Sequence, residues 1–207
     1  MSVTFQESAF QSFIGSIEGI RTSWNGINGL IYTLDNYHPI PSRKELLFNI
    51  LNGLEISSVL ELGCNVGNNL RDLDNGQRQL VGLDILSCAV AGRGFPAILG
   101  NVESLPVANK SFDLVLMSCV LCHIPIERLG AVLSEAFRVS NRYVLLIDYH
   151  SDNNDEMMWR WKGGCWSRNF KQAALDTVPG SKMIEYGRIP NWLISPDPRV
   201  EYGLFEV

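Results

Sequence analysis

The stretch Val59-Leu60-Glu61-Leu62-Gly63-Cys64-Asn65-Val66-Gly67-Asn68-Asn69-Leu70 decides how the chain reads. An apolar run ending in a carboxylate passes into a glycine-bearing turn, and a helix-competent segment follows. A second apolar run, Leu80-Val81-Gly82-Leu83-Asp84, also closes on an acid. The distance between the two matches that of a βαβ nucleotide site, where the second acid meets ribose.

Downstream, strands and helices alternate. Val59–Leu62 reads as the first strand, with a short helix from about Asn68 to Leu73. Leu80–Asp84 is the second strand, Ser87–Gly92 a short helix and Ala97–Leu99 the third strand. Asn109-Lys110-Ser111 turns the chain into a fourth strand, Phe112–Cys119. Pro125 opens a helix reaching Val139, with Ile126, Leu129, Val132, Leu133 and Phe137 on one face. Tyr143–Ile147 is the fifth strand. Near-continuous apolar strands of this kind suit a mostly parallel sheet with helices on both faces. Ser151–Glu156 is polar and Met157–Trp166 aromatic and basic. A helix from about Asn169 to Thr177 then precedes Met183–Tyr186 and Val200–Val207, a closing antiparallel strand pair.

Upstream, residues 1–54 read as an N-terminal helical extension or lid, and residues 55–207 as the ligand-binding domain. Phe5, Phe10, Phe13, Ile14 and Ile17 recur at near-helical spacing. Trp24–Gly29 is turn-rich, and Tyr37-His38-Pro39-Ile40-Pro41 is a second break. Ser42 suits the N-cap of a helix through Leu51, which Gly53 would end.

A chain of 207 residues suits one domain with a sizeable core. Its net charge of -5 argues against nucleic-acid and anionic-membrane partners. The five cysteines are odd in number and scattered. Cys119 and Cys122 make one C-x-x-C pair with neither a second pair nor a histidine cluster, so buried reduced thiols and no metal are expected. A reducing cytoplasm follows. No basic leader with an apolar core opens the chain, and no apolar run is long enough to span a bilayer. A monomer or homodimer is expected.

The turn Gly63-Cys64-Asn65-Val66-Gly67 lets backbone N–H groups approach a ligand where a Cβ would intrude. In the dinucleotide fingerprint the second and third glycines would fall at Asn65 and Asn68, so a pyrophosphate on the helix N-terminus is disfavoured. Asn65 still tolerates a left-handed conformation. Glu61 carries more information. An acid at the end of an apolar strand is costly unless it meets a cation or donors. The α-ammonium of S-adenosylmethionine would supply a cation there, whereas NAD would not. Asp84 would accept hydrogen bonds from two vicinal ribose hydroxyls, or else cap the next helix. Asn101 and Val102 sit where an amide carbonyl and a backbone N–H could read adenine, although Asn101 also suits a plain turn.

Glu61–Gly67, Asp84, Gly100-Asn101-Val102-Glu103-Ser104-Leu105-Pro106 and Ser111-Phe112-Asp113-Leu114-Val115 follow one another as in class I S-adenosylmethionine-dependent methyltransferases. They resemble that family's glycine loop, ribose acid, adenine loop and fourth strand. Asn101 replaces the usual aspartate of the adenine loop, and Asn65 replaces the middle glycine. The resemblance implies a Rossmann-like class I methyltransferase fold and S-adenosylmethionine as cofactor. Its contacts would come from Glu61, Gly63, Cys64, Asn65, Gly67, Asp84, Ile85, Asn101, Val102 and Ser118. A narrower resemblance joins Gly63–Leu70, Val120-Leu121-Cys122-His123-Ile124, Ser140-Asn141-Arg142-Tyr143-Val144, Trp166-Ser167-Arg168-Asn169-Phe170 and Tyr186-Gly187. These segments are similar to the methylases encoded beside pseudaminic acid biosynthesis. That match implies a small polar acceptor related to a sugar or nucleotide sugar.

Methyl transfer from a sulfonium is an in-line displacement, and a base is needed only if the acceptor must lose a proton. His123 follows the fourth strand, and Tyr149 and His150 follow the fifth beside Asp148, all at C-terminal strand ends. These three are the catalytic candidates. Trp161 and Arg168, with Trp159 and Arg160, suit an acceptor lid that binds a carboxylate or phosphate, or else a surface loop with aromatic anchors. The alternatives are a non-catalytic S-adenosylmethionine-binding partner or sensor and, third, an NAD-dependent oxidoreductase.

Overall fold

The computed structural model describes residues 27–36, 43–90, 94–153, 156–160, 163–189 and 199–207. The strands are β1 (Ser58–Leu62), β2 (Gln79–Asp84), β3 (Ala97–Leu99), β4 (Phe112–Ser118), β5 (Ser140–Tyr149), β6 (Glu156–Arg160), β7 (Gly163–Ser167), β8 (Lys182–Arg188) and β9 (Val200–Glu206). The helices are α1 (Ile27–Asp35), α2 (Lys44–Ile50), α3 (Asn68–Leu73), α4 (Ser87–Val90), α5 (Ile126–Val139) and α6 (Phe170–Thr177). Seven strands form one sheet in the order β3-β2-β1-β4-β5-β9-β8. The first five are parallel, and β9 runs antiparallel to both β5 and β8.

The strand order reverses between β1 and β4, which pair directly from Val59↔Leu114 to Leu62↔Met117. Open α/β sheets bind ligands outside the carboxyl ends of the strands at such a reversal. Glu61 and the turn after Leu62 therefore lie at the position where a ligand crevice forms.

Both sheet faces are covered, and alternate residues serve opposite cores. Leu114, Leu116, Leu145 and Ile147 pack with Leu47 and Ile50 of α2 and with Leu70 and Leu73 of α3. Val115, Met117, Val144 and Leu146 pack with Leu129, Leu133 and Phe137 of α5 and with Phe170 of α6. An edge-on contact between Phe137 and Phe205, 5.6 Å between centroids, joins α5 to β9.

Several elements differ from the sequence reading. Within the aromatic and basic stretch, residues 156–160 and 163–167 are strands: β6 and β7 pair antiparallel from Glu156↔Ser167 to Arg160↔Gly163. Strand β5 starts at Ser140, directly after α5, because buried Ser140 satisfies its own hydroxyl on the Tyr143 carbonyl at 2.8 Å. Cys119 lies beyond β4 with φ +55°. Helix α1 begins inside the turn-rich stretch, at Ile27. Ile126, in the first turn of α5, is 52 % exposed and leaves the apolar face to Leu129, Val132, Leu133 and Phe137. Phe5–Ile17, Trp24–Gly26, Tyr37–Pro41 and the Ser42 cap lie outside the described residues. Among the described residues, no helix is long and apolar enough to cross a membrane.

Candidate functional site

The turn after β1 is stitched to the end of β2. Gly63 and Cys64 both donate their N–H groups to the Leu83 carbonyl, at 2.7 and 3.0 Å. Gly67 donates to the Cys64 carbonyl at 2.8 Å, closing the turn. Gly63 and Gly67 take φ +71° and +74°, and Asn65 takes the left-handed conformation expected of it, at φ +45°. The glycines are also sterically required. A Cβ on Gly63 would lie 2.5 Å from a methyl of Val120, and one on Gly67 only 1.9 Å from the Phe95 ring.

Asp84, at the end of β2, holds this turn. One carboxylate oxygen accepts from the Asn65 N–H at 2.8 Å and the other from the Leu86 N–H at 2.9 Å. Its backbone carbonyl accepts from Gly100 at 2.9 Å, tying in the stretch after β3. Asp84 is 7 % exposed. Burial raises its carboxyl above the ordinary carboxylate range, and the N–H groups of Leu86, Asn65 and Ile85 oppose that rise. The contact to Leu86 falls before α4, so Asp84 closes the turn that leads to that helix and keeps acceptor capacity for a further donor.

Glu61 is 2 % exposed. Its Oε1 accepts from the Asn69 side chain at 2.6 Å, while Oε2 is buried without a hydrogen-bond partner. Burial pushes this carboxyl up to about 8, against the lowering effects of Asn69 and Arg43. The Asn65 Oδ1 is a second buried acceptor without a partner. Two such orphans, one at the end of β1 and one in the turn after it, are costly in a ligand-free protein, by about 1–3 kcal/mol each. The Asn65 oxygen is an acceptor, and Glu61 Oε2 becomes one once its carboxyl ionises, so they suit a ligand that brings donors and a positive charge, such as an ammonium group.

Cys64 is buried, its thiol 3.6 Å from the Asn65 carbonyl oxygen. Ile85 and Ser118 are half-buried at the ends of β2 and β4. Asn101 accepts the Glu103 N–H on its Oδ1 at 3.0 Å, so its side chain builds the turn. Val102 packs against the core on the α5 side. Asp113 works at the other end of the sheet, where it accepts from the N–H groups of Ser57 and Ser58 at 2.9 and 3.1 Å.

On the acceptor side the structure separates residues that the sequence groups together. Asp148 accepts from the Cys122 and Tyr149 N–H groups at 3.3 and 2.8 Å, and burial raises its carboxyl to about 6. Tyr149 is buried in the core beside Cys165 and Ile189. His150 sits in a charged cluster, with Nε2 3.1 Å from Asp152 and Nδ1 3.7 Å from Glu201. Glu201 also receives Lys171 and, at 3.3 Å, Arg188. Alternation along the strand end sends Tyr149 to the face opposite Asp148 and His150, and His150, one residue past β5, turns to the Asp152 and Glu201 carboxylates instead of to Asp148. His123 ends a 3-10 turn, Leu121–His123, and is half-buried.

Arg168 is 3 % exposed and is no surface lid residue. Its guanidinium donates to the Ile124 carbonyl at 2.8 Å and lies 5.5 Å from the Trp166 ring centroid. It braces the segment beside His123. Trp161 lies outside the described residues. Cys64, Cys119, Cys122 and Cys165 are free thiols, and burial, with Cys165 beside it, holds the Cys122 thiol well above its ordinary range. Among the described residues, no His, Cys, Asp or Glu group could hold a metal ion.

The sequence reading did not assign Asn69, Phe95 or Val120 to the site. Asn69 left a usable signal. It shares the helical face of Val66 and Leu73, and a polar side chain on a buried face needs a polar partner. Phe95 and Val120 left none, since each enters through the close approach of another strand's end.

Residues 60–146 match a family model described as a methyltransferase domain. An uncharacterized protein of Methanocaldococcus jannaschii is 36 % identical over 55 residues, covering 27 % of this chain. The match spans about a fifth of that curated relative, 22 % of its length. An S-adenosylmethionine-dependent methyltransferase of Leishmania major superposes with a TM-score of 0.67 at 13 % identity, covering 97 % of this chain and 82 % of that one. One from Methanosarcina mazei gives 0.61 at 15 % identity, covering 76 % and 96 %. At such identities the likeness bears on the fold. Residues 60–146 thus match a methyltransferase domain, and the chain has the fold of S-adenosylmethionine-dependent methyltransferases. Family match and fold both point to S-adenosylmethionine as the cofactor and to methyl transfer as the reaction.

Proposed function

We propose that the chain transfers a methyl group from S-adenosylmethionine to a small polar acceptor of the sugar or nucleotide-sugar class. One observation carries the donor half: Glu61 presents a buried Oε2 without a partner beside a turn of positive-φ residues. The cofactor's α-ammonium would meet that oxygen, and Gly63, Cys64, Asn65 and Gly67 would line its amino-acid end. Asp84 would add ribose hydroxyls to the N–H groups it already accepts, with Ile85 beside it. The Asn101 and Val102 backbone would meet adenine, since the Asn101 carbonyl oxygen of the side chain is engaged by Glu103. Ser118 would close the β4 side.

When bound, S-adenosylmethionine supplies an electrophilic methyl group on a sulfonium. The chain's own residues contribute position, which is worth roughly 7–11 kcal/mol at the limit. His123 and His150 are the base candidates that stand outside the core; Tyr149 would serve as a wall. Arg168 would act through Ile124, by fixing the segment that carries His123. The sugar-related acceptor is supported by the sequence resemblance, and a net charge of -5 disfavours a nucleic-acid acceptor. Free thiols agree with a reducing cytoplasm.

The engagement of Asp148 and the burial of Tyr149 favour keeping one second reading, a cofactor-binding sensor without transfer activity. Calorimetry and product assay test both. Asp84→Ala should weaken S-adenosylhomocysteine binding about tenfold or more, about 1.4 kcal/mol. Unchanged affinity in the folded variant removes the ribose assignment. Release of S-adenosylhomocysteine with a panel of sugars and nucleotide sugars supports transfer; binding without release across that panel supports the sensor.

A further inference from the structure

The Glu61 carboxylate is held from outside the methyltransferase domain. Arg43, immediately before α2, donates from its guanidinium to Asn69 Oδ1 at 2.7 Å. Asn69 Nδ2 in turn donates to Glu61 Oε1 at 2.6 Å, in a buried contact. Arg43 is itself fixed through both backbone groups. Its N–H donates to Asp72 at 2.6 Å, and its carbonyl accepts the Leu47 N–H at 2.9 Å. A second tether, Asn68 to the Asn36 carbonyl at 3.3 Å, joins the end of α1 to α3.

We propose that Arg43 is a positioning residue for the cofactor crevice, acting through the Asn69 amide to fix which oxygen of Glu61 is held and which is left for the ligand. The reason lies in donor and acceptor inventories. A guanidinium only donates, so it compels Asn69 to turn Oδ1 towards it and Nδ2 towards Glu61. With the amide reversed, NH2 would face the guanidinium and Oδ1 would face the carboxylate, two repulsive contacts in place of two hydrogen bonds. Without Arg43 nothing in this chain of contacts distinguishes the two orientations when Glu61 is protonated, because a carboxylic acid both donates and accepts. Arg43 also contributes positive charge near a buried acid. The ionisable groups felt by Glu61 are Arg43, which favours its charged form, and Asp84, which opposes it. The N-terminal segment is thereby coupled to cofactor affinity without having to touch the cofactor.

This inference rests on the reading of Glu61 as the ammonium partner, and the test separates the two. In full-length protein carrying 13C-labelled glutamate, the Glu61 carboxyl signal, assigned by its loss in Glu61→Gln, is titrated by NMR without ligand. Arg43→Gln should raise the titration midpoint by about half a pH unit or more, and Arg43→Lys, which keeps charge and donors, should restore most of the shift. Arg43→Gln should also weaken S-adenosylhomocysteine binding about fivefold near neutral pH. A midpoint that does not move in Arg43→Gln overturns the relay, whatever the ligand does. A moved midpoint with no binding of S-adenosylhomocysteine by the wild type leaves the relay standing and removes the ammonium assignment.

Discussion

Binding of S-adenosylhomocysteine should expel a proton from the protein at neutral pH and take one up at alkaline pH. Burial places the Glu61 carboxyl at about 8 in the ligand-free chain. At pH 7 about nine-tenths of the molecules therefore carry a proton on Glu61. The ligand's α-amino group sits beside its own α-carboxylate and is already an ammonium at pH 7. If the complex pairs carboxylate with ammonium, Glu61 gives up about 0.9 proton and the ligand gains almost none. At a pH above the range of both groups the balance reverses. Glu61 is then ionised and the amine neutral, so pairing takes up a proton. Calorimetry in buffers of different ionisation enthalpy reads this directly, because the slope of observed enthalpy against buffer enthalpy is the proton count. In Glu61→Gln the release at pH 7 should vanish. No proton exchange at either pH, or an unchanged slope in Glu61→Gln, refutes the pairing.

Other outcomes follow from the same contacts. Glu61 keeps its proton up to about 8 when folded against an ordinary 4.5, so its contribution to stability is fully present below about pH 4.5 and is lost as pH rises through 8. Glu61→Gln should therefore stabilise the ligand-free chain near pH 9, by up to roughly 3–5 kcal/mol, and change little near pH 4.5; denaturant titrations at the two pH values check the contrast. Gly67→Ala should cost about 1–2 kcal/mol for the left-handed backbone alone, with a further steric cost against the Phe95 ring. Adding Phe95→Ala should remove the steric part only, and an unaltered melting temperature for the single variant would contradict the turn geometry. Arg168→Ala leaves the Ile124 carbonyl without this donor and should lower stability by about 1–3 kcal/mol. Its affinity for S-adenosylhomocysteine should stay within about twofold while turnover falls, and full turnover would exclude a role for Arg168 at the acceptor side.

The part of the fold that builds the cofactor crevice is the part most legible in sequence. Leu80–Asp84 and Ala97–Leu99 are apolar runs bounded by turn residues, and α3 matches the expected Asn68–Leu73. Leu80–Asp84 is a strand buried on both faces, which favours a short apolar run of this kind, and edge strand β3 is set off by Pro96 and Gly100. The β6–β7 hairpin was hidden for the opposite reason. Gly163 and Gly164 look like strand breakers, yet they pair with Arg160 and Trp159. The start of β5 was masked by Ser140-Asn141-Arg142, three polar residues that follow a helix without a turn. At the site, Glu61 was readable because an acid on an apolar strand demands a partner. Which partner was not, since Asn69 reaches it from a helix and Arg43 from still farther up the chain. Asp148-Tyr149-His150 looked like one cluster in sequence. Strand alternation turns Tyr149 into the core on the other face, and His150 finds its carboxylate partners on Asp152 and Glu201, which a string of residues does not display.

A crystal structure of the chain with S-adenosylhomocysteine is the most direct measurement of the cofactor assignment. The α-ammonium should lie within hydrogen-bonding distance of Glu61 Oε2, with the ribose hydroxyls on Asp84. A nucleoside bound away from the β1–β4 strand ends, or an ammonium that leaves Glu61 Oε2 without a partner, would contradict it.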